Sequence, residues 1–353
     1  MVWMDAVFIL SGSRTPIASL NESFSTLSAS DLGAISIKSC LEKANVDPNQ
    51  VAMCIMGQVL TAGEGQNPCR QAAVKAGIPY NVPSTTVNMV CGSGLKAVVM
   101  GCHNILLDDA ECVVVGGQES MSNAPHIMKM RNSKVKFGNL EMADTLLTDG
   151  LTDVYNKYLM GVTAENVAKL YSISREDQDV FAEESQRRCH GATSSGFFDS
   201  EIVPVTVKLR SEEKLISKDE HPRPQTNVKK LATLKTPFAE NGSVTAGNSS
   251  GLNDGAASLV LVSKSFLNQH KLKPMAKIVS WAEVGLDPSI MGMGPVEAIR
   301  KAVKKCNWSL NEIDLFEINE AFAATALATI SQLSIDKEKV VIYFPCFSLY
   351  VYS

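Results

Sequence analysis

Short apolar runs alternate with segments of helical spacing over most of the chain. An apolar run bounded by glycine or proline is typical of a buried strand, whereas apolar positions three and four residues apart are typical of a helix. These patterns predict strands at 6–11, 51–60, 85–90, 112–115, 201–209, 276–284 and 313–318. They predict helices at 31–44, 68–76, 94–107, 175–189, 296–306 and 320–333. The alternation favours an α/β fold with much parallel strand pairing.

The regular alternation is interrupted between about residues 118 and 248. One strong helix stands out there, because Ser174 and Asp177 form a capping-box pattern at its start. A loop rich in glycine, serine and asparagine follows at 242–255, and such loops either cover a surface or enclose a ligand. Two α/β blocks separated by a loop-rich insert indicate a duplicated architecture.

The composition excludes several classes of protein. The 353 residues are 45% hydrophobic with a formal net charge of -4, so the chain can bury a large core and has no overall basic field for nucleic acid. The nine cysteines include no CxxC pair, which argues against a zinc ribbon or a disulfide framework and favours a reducing cytosol. No apolar run reaches the roughly 18 residues that a membrane helix needs.

Cys91 lies where a predicted strand meets a predicted helix, within the sequence Asn-Met-Val-Cys-Gly-Ser-Gly at 88–94. A helix N-terminus favours a thiolate over a thiol, and the adjacent glycines allow a substrate to approach the backbone. The alternative is a buried, unreactive cysteine, which is common in proteins. The flanking pattern favours the functional interpretation, and we expect Cys91 to be the most readily acylated cysteine of the chain.

Asn319 and the loop at 244–256 each allow two interpretations. Asn319 begins an Asn-Glu-Ala-Phe-Ala segment, again between a predicted strand and a predicted helix. Its side chain either caps the helix or points into a site at the carboxyl end of the strand. The loop is either a flexible linker or the lining of a binding channel, made of backbone donors and small side chains.

Five segments together resemble the thiolase family. They are Cys-Gly-Ser-Gly-Leu-Lys-Ala at 91–97, Gly-Gln-Glu-Ser-Met-Ser at 117–122, Met-Gly-Val-Thr-Ala-Glu-Asn at 160–166, Thr-Ala-Gly-Asn-Ser-Ser-Gly-Leu-Asn-Asp-Gly-Ala-Ala at 245–257 and Asn-Glu-Ala-Phe-Ala at 319–323. The resemblance runs from about residue 5 to about residue 340. The segment at 57–73 is more similar to the acetoacetyl-CoA thiolase branch than to long-chain 3-ketoacyl-CoA thiolases.

The resemblance implies a thiolase-type layered α/β fold of two related halves. We expect an N-terminal half at 1–270 that contains a loop domain at about 118–248, an incomplete C-terminal half at 271–340 and a divergent tail at 341–353. The implied reaction condenses two acetyl-CoA molecules to acetoacetyl-CoA and CoA, with thiolysis as the reverse. Coenzyme A thioesters are then substrates, and neither a cofactor nor a metal is expected.

The resemblance also implies roles for particular residues. Cys91 matches the nucleophile that holds the acetyl group as a thioester, and Asn319 matches the asparagine that positions a water in the oxyanion hole. Arg223 and Ser250 match residues that contact the nucleotide and pantetheine parts of CoA. Met160 and Phe322 match residues that line the apolar acyl pocket.

The sequence departs from the family pattern at two places. Leu159 stands where the family has a histidine just before the Met-Gly pair. After Val340 the chain shows neither the Gly-His-Pro motif nor the Cys-x-Gly-Gly-Gly motif of the family. These motifs supply the histidine that activates the nucleophile and the cysteine that acts as acid and base. None of the histidines of the chain lies in a matching motif: His103, His126, His190, His221 and His270.

Two functions from different classes follow. The first is an acetyl-CoA acetyltransferase of lipid metabolism, expected as a cytoplasmic homo-oligomer, usually a tetramer in this family, without nucleic-acid or membrane partners. The alternative is a catalytically impaired thiolase-like protein that acts through association with full-length subunits. A condensing enzyme that uses an acyl carrier protein is less favoured, because its paired histidines are also missing.

Overall fold

The structure is a computed structural model that describes residues 6–130, 137–208 and 212–341. Its strands are β1 (Val7–Arg14), β2 (Ala18–Ser19), β3 (Met53–Gly57), β4 (Ser84–Val87), β5 (Cys112–Ser120), β6 (His126–Ile127), β7 (Ala143–Asp144), β8 (Val205–Lys208), β9 (Glu213–Ile216), β10 (Asn253–Val262), β11 (Ala276–Ile278), β12 (Phe316–Glu317) and β13 (Val340–Val341). Its α-helices are α1 (Ala29–Ala44), α2 (Pro68–Lys75), α3 (Ser93–Leu106), α4 (Met160–Leu170), α5 (Arg175–Ser194), α6 (Val228–Leu231), α7 (Lys264–His270), α8 (Gly294–Lys305) and α9 (Ala323–Leu333). Within these described residues, no helix combines the length and the apolar character needed to cross a bilayer.

Seven strands form one mixed sheet. Strands β11, β1, β10, β5, β3 and β4 lie side by side in that order, and β2 also pairs with β10. Strand β10 is antiparallel to β1 and β5, whereas β3 is parallel to both β5 and β4. The α/β class is confirmed, and parallel pairing in this sheet is confined to these three strands. Because parallel strands end at the same edge, the segments that follow β3 and β4 meet beside the end of β5.

Helices cover both faces of the sheet. Successive side chains of a strand point to opposite faces, and β5 shows this directly. Cys112 and Val114 belong to the apolar cluster that includes residues of α1 and α2. Val113 and Val115 belong to the cluster that includes residues of α3. The central strands are therefore buried on both sides, as the apolar run at 112–115 suggested.

Several element boundaries differ from the predicted ones. Helix α1 begins at Ala29, two residues before the predicted start, because Ser28 and Asp31 form a capping box. Strand β5 continues past the predicted end, through Gly116 to Ser120. At Gly116 it lies so close to β10 that a Cβ atom would be 2.1 Å from the carbonyl oxygen of Ala257. Glycine therefore permits close strand contact here and does not end the strand. The capping box at Ser174 is confirmed.

The segment at 313–318 has a strand partner. Strand β12 pairs in parallel with β13, with Phe316 opposite Val340. Both residues are buried in an apolar cluster with Phe181 of α5 and Ile330 of α9. Strand β12 is therefore paired and packed within the described residues. The remainder of the expected tail, residues 342–353, lies outside the described residues.

Candidate active site

Three parallel strands bring Cys91 to one edge of the sheet. Strand β4 ends at Val87, and helix α3 begins at Ser93, so the connection carries Cys91 over the ends of β3 and β5. The helix start rests directly on Gly57, the last residue of β3. A Cβ atom at Gly57 would lie 2.5 Å from the carbonyl carbon of Ser93. Only glycine allows α3 to approach the sheet this closely.

The connection is held in an unusual conformation by its own side chains. Val90 has a φ of 50°, in the left-handed region that β-branched residues rarely adopt. The Val90 N–H donates to Asn88 Oδ1 at 2.9 Å. Ser93 Oγ accepts from the Met89 N–H at 2.9 Å and donates to the Val90 carbonyl at 2.6 Å. Strain of this kind persists where the surroundings impose it, and it is found at functional sites.

The Cys91 thiol is protonated at neutral pH. Burial raises its pKa to about 11, with a contribution from the charge of Glu119, and a backbone hydrogen bond only partly opposes this. Cys91 directly precedes Gly92, the N-cap of α3, so its backbone lies at the helix N-terminus as expected. The expected thiolate is therefore not the resting form of Cys91, because burial raises the pKa of its thiol. Cys91 and Cys306 are nevertheless the partly exposed cysteines of the described residues, while the other six are buried.

Glu119 is a neighbour of Cys91 that the sequence analysis missed. Its carboxylate accepts hydrogen bonds from the Val59 N–H at 2.9 Å and the Leu60 N–H at 3.3 Å. Burial raises its pKa to about 7. In the sequence, Glu119 lies after a glycine pair at a predicted strand end, and nothing there shows that the carboxylate points inward.

The glycine- and serine-rich loop at 242–252 is fixed. The carboxylate of Glu165, on α4, accepts hydrogen bonds from the N–H groups of Ser243 and Val244 at 2.7 to 3.0 Å. Asn248 accepts from the Thr245 N–H at 2.7 Å and donates to Asp179 at 3.0 Å. The flexible-linker interpretation is therefore wrong.

This loop forms one wall of a cleft of about 1400 Å³. The cleft brings together the four residues expected to contact substrate: Met160, Arg223, Ser250 and Phe322. Leu159 lines the cleft beside them. The hydroxyl of Ser250 is buried and has no hydrogen-bond partner within residues 6–130, 137–208 and 212–341. Neither Cys91 nor Asn319 is among the residues of the described chain that line this cleft.

Asn319 does not cap a helix. Helix α9 begins at Ala323, and its N-cap residue is Phe322. Asn319 Oδ1 is buried and, among the described residues, has no hydrogen-bond partner. The segment that follows is tied to the cleft wall, because the Ser250 N–H donates to the Ala321 carbonyl at 3.0 Å. Of the two interpretations of Asn319, the structure excludes the cap.

Packing joins the Cys91 side of the sheet to the cleft. Val59 and Leu60, which Glu119 holds, share an apolar cluster with Leu20 and Leu252. The latter two line the cleft. Displacement of the turn at 59–60 would therefore disturb both regions.

Two further cleft residues were missed. Glu320 is buried, its pKa is raised by burial to about 8, and it accepts a hydrogen bond from Ser185 at 2.7 Å. His221 lies against Gly251, where a Cβ atom would be 1.7 Å from the imidazole Cε1. Burial and the charge of Arg223 lower the pKa of His221 to about 4, so the imidazole is neutral. In the sequence, the indication that His221 belongs to the cleft is its position two residues before Arg223.

Comparison with known proteins decides the family. A profile of the thiolase N-terminal domain matches residues 7–265, and one of the thiolase C-terminal domain matches residues 272–349. The chain belongs to the thiolase family. The match of the second profile extends past residue 340 to residue 349, and so into the segment expected as a divergent tail, which stays a prediction.

Similar thiolases come from animals and bacteria. The chain is 49% identical to the cytosolic acetyl-CoA acetyltransferase of Rattus norvegicus, over 95% of this chain and 85% of that protein. It is 49% identical to the acetyl-CoA acetyltransferase of Cupriavidus necator, over 96% of this chain and 86% of that one. The crystal structure of Bacillus anthracis acetyl-CoA acetyltransferase superposes with a TM-score of 0.95 at 40% identity, covering 98% of this chain and 88% of that one. These matches confirm the thiolase fold.

Proposed function

We propose that this thiolase is an acetyl-CoA C-acetyltransferase. Cys91 Sγ attacks the carbonyl of acetyl-CoA, CoA leaves as the thiol, and the acetyl group stays on Cys91 as a thioester. A second acetyl-CoA loses an α-proton, and the resulting enolate carbon attacks that thioester. Acetoacetyl-CoA forms and Cys91 is released, whereas thiolysis runs the same steps in reverse. The similar proteins of rat and Cupriavidus necator carry the name of this activity.

The observation that carries the proposal is the cleft. It offers the exposed guanidinium of Arg223 for phosphate groups and the unpartnered hydroxyl of Ser250 for the pantetheine chain. It is also lined by Met160 and Phe322, which belong to an apolar cluster with Phe238. A ligand with an anionic part and a small acyl group fits these side chains. We assign CoA thioesters as substrates, and the reaction needs no separate cofactor.

Asn319 has a role in the same reaction. Its buried, unpartnered Oδ1 can accept a hydrogen bond from a water that in turn donates to the thioester carbonyl. A donor placed in this way acts on the negative charge that develops on the oxygen during attack. The Cys91 thiol must lose its proton before attack, because burial raises its pKa to about 11.

The direct test is thiolysis of acetoacetyl-CoA by the purified chain in the presence of CoA. We expect consumption of acetoacetyl-CoA and formation of two acetyl-CoA molecules, with Cys91 acetylated after brief exposure to acetyl-CoA. Peptide mass mapping locates the acetyl group. Cys306→Ala, at the other partly exposed cysteine, is the matched control and keeps the activity. Acetylation at Cys306 while Cys91 stays free contradicts the proposal.

A second candidate is a catalytically impaired thiolase-like subunit, since no basic group of the described residues acts on Cys91 to favour its thiolate. The two candidates separate in one experiment. An active chain cleaves acetoacetyl-CoA alone, whereas an impaired subunit leaves it intact and co-purifies with a complete thiolase when the two are expressed together.

We further propose a cytoplasmic homo-oligomer. Large apolar side chains are exposed on the segment between β6 and α4, with Phe137 94% and Tyr155 77% exposed. A second copy of the chain is the partner we assign to this surface, since the family resemblance implies a tetramer. Light scattering coupled to gel filtration measures the mass, and a monomer at micromolar concentration contradicts the assignment.

A further inference from the structure

Glu119 is a buried carboxyl group beside the candidate nucleophile, and the reaction described above gives it no task. The residue is only 2% exposed and lies near the carboxyl end of β5. Both of its carboxylate oxygens accept backbone hydrogen bonds, from the N–H groups of Val59 and Leu60. A buried carboxyl group with two backbone donors is costly to place and is rarely incidental.

A short series of hydrogen bonds leads from this carboxylate to the Cys91 connection. The Val59 carbonyl accepts from Asn88 Nδ2 at 3.4 Å. Asn88 Oδ1 in turn accepts from the N–H of Val90 at 2.9 Å, and Val90 directly precedes Cys91. Glu119 therefore holds the turn against which the strained connection is built.

The charge of Glu119 also acts on Cys91 directly. Its negative charge raises the pKa of the thiol, because a nearby anion disfavours the thiolate. Glu119 itself titrates near neutral pH: burial raises its pKa to about 7, the N–H groups of Val59 and Leu60 oppose this, and the charges of Glu64 and Asp254 add to it. These carboxylates face Glu119 from the turn after β3 and from β10.

We propose that Glu119 is a positioning residue that sets both the place and the protonation state of the Cys91 thiol. Its hydrogen bonds fix the turn that supports the connection, and its charge keeps the thiol protonated until the reaction withdraws the proton. The inference rests on the proposed role of Cys91 as the nucleophile. It gives Glu119 control over the pH range in which Cys91 reacts.

The test measures the alkylation rate of Cys91 by iodoacetamide between pH 5.5 and pH 9, with peptide mass mapping, in the full chain and in Glu119→Gln. Below about pH 6 Glu119 is protonated and neutral in the wild type, as the glutamine is in the variant. The ratio of the two alkylation rates is therefore independent of pH in this range. Above about pH 8 the wild type carries the charge and the variant does not. The ratio of the variant rate to the wild-type rate therefore rises with pH, by about three- to tenfold across pH 7.

Two further variants keep the test decisive. Glu64→Gln removes a carboxylate that raises the pKa of Glu119 but does not act on Cys91, so its rate ratio dips near pH 7 and is the same at pH 5.5 and pH 9. Glu119→Asp keeps the charge on a shorter side chain, so it lowers the rate by a constant factor and keeps the pH dependence of the wild type. A flat ratio for a folded Glu119→Gln overturns the control of protonation. Should Glu119→Gln not fold, loss of the wild-type pH dependence in Glu119→Asp overturns the proposal in the same way.

The readout separates this inference from the proposed function. Alkylation by iodoacetamide requires no CoA substrate. A wild type without thiolysis but with a rising rate ratio contradicts the acetyltransferase and supports Glu119. Normal thiolysis with a flat ratio contradicts Glu119 and leaves the acetyltransferase standing.

Discussion

The two strand-to-helix junctions that carry the candidate catalytic side chains are built in opposite ways. Between β4 and α3, the side chains of Asn88 and Ser93 form hydrogen bonds with the backbone of Val90, and Val90 adopts the left-handed region. Between β12 and α9, Asn319 keeps a buried oxygen without a partner among the described residues. The first junction fixes the position of a side chain, whereas the second keeps a polar atom ready for a ligand or a water. Substitutions should therefore reduce activity at both but affect stability differently.

Removal of the nucleophile gives the largest expected effect. Cys91→Ala should lower the rate of acetoacetyl-CoA thiolysis by about 10³-fold or more, because the covalent route is lost. The matched control is Cys306→Ala, which leaves the rate within about twofold of the wild type, since a surface substitution away from the site has little effect. Residual activity above one tenth in Cys91→Ala contradicts the role of the first junction.

The second junction should respond in rate and not in stability. Asn319→Ala should lower kcat by about 10²–10³-fold, the usual effect of losing an oxyanion-hole group. Its melting temperature should stay close to that of the wild type, because α9 is not capped by this side chain. Asn248→Ala is the control, since Asn248 bonds to Thr245 and Asp179 and its loss should lower the melting temperature. An unchanged kcat with a lower melting temperature in Asn319→Ala would restore the cap interpretation.

A charge reversal at the cleft tests a contact outside both junctions. Arg223→Glu should weaken CoA binding by about ten- to a hundredfold, because a charged hydrogen bond to phosphate is worth about 1.5–3 kcal/mol. The type of reaction should stay the same. Lys229→Glu, on α6 and outside the cleft lining, is the control in a calorimetric titration of CoA. Equal affinities of the two variants for CoA count against the cleft as the CoA site.

The smallest effect concerns the buried carboxyl group next to Asn319. The pKa of Glu320 is about 8 in the folded chain, above its ordinary value of about 4.5, so the folded state binds more protons between these two values. Its contribution to stability is therefore fully present below about pH 4.5 and is lost as the pH rises through about 8. Glu320→Gln should raise the melting temperature by about 2 °C or more at pH 8.5 and by much less at pH 5. Equal shifts at both pH values in thermal scans contradict this sign.

The sequence predicted those element boundaries that depend on neighbouring residues in the chain. Helix α5 begins as expected because Ser174 and Asp177 form the whole signal within four residues. Strands β11 and β12 are shorter than their apolar runs, because pairing with a neighbour sets strand length, and residues far apart in the sequence supply that neighbour. The expected division of the chain near residue 270 stays a prediction.

The sequence suggested residues for the site but not their environments. Arg223 and Ser250 both line the cleft, and their contact with CoA stays a prediction. The protonated state of Cys91 could not be predicted, because burial and the charge of Glu119 raise the pKa of the thiol, and both depend on tertiary packing. Glu320 and His221 were missed for the same reason, since their altered pKa values arise from burial.

The conformation of Val90 has a consequence for the number of folded molecules. A branched residue held at a φ of 50° costs the native state about 1–2 kcal/mol. An energy of this size multiplies the fraction of unfolded chains by about five- to thirtyfold. Every copy of the protein is thus somewhat more exposed to proteases and to aggregation than a relaxed connection would make it. In a cell, chaperones and proteases act on this larger unfolded fraction, so the strain at one connection can lower the steady-state amount of the protein.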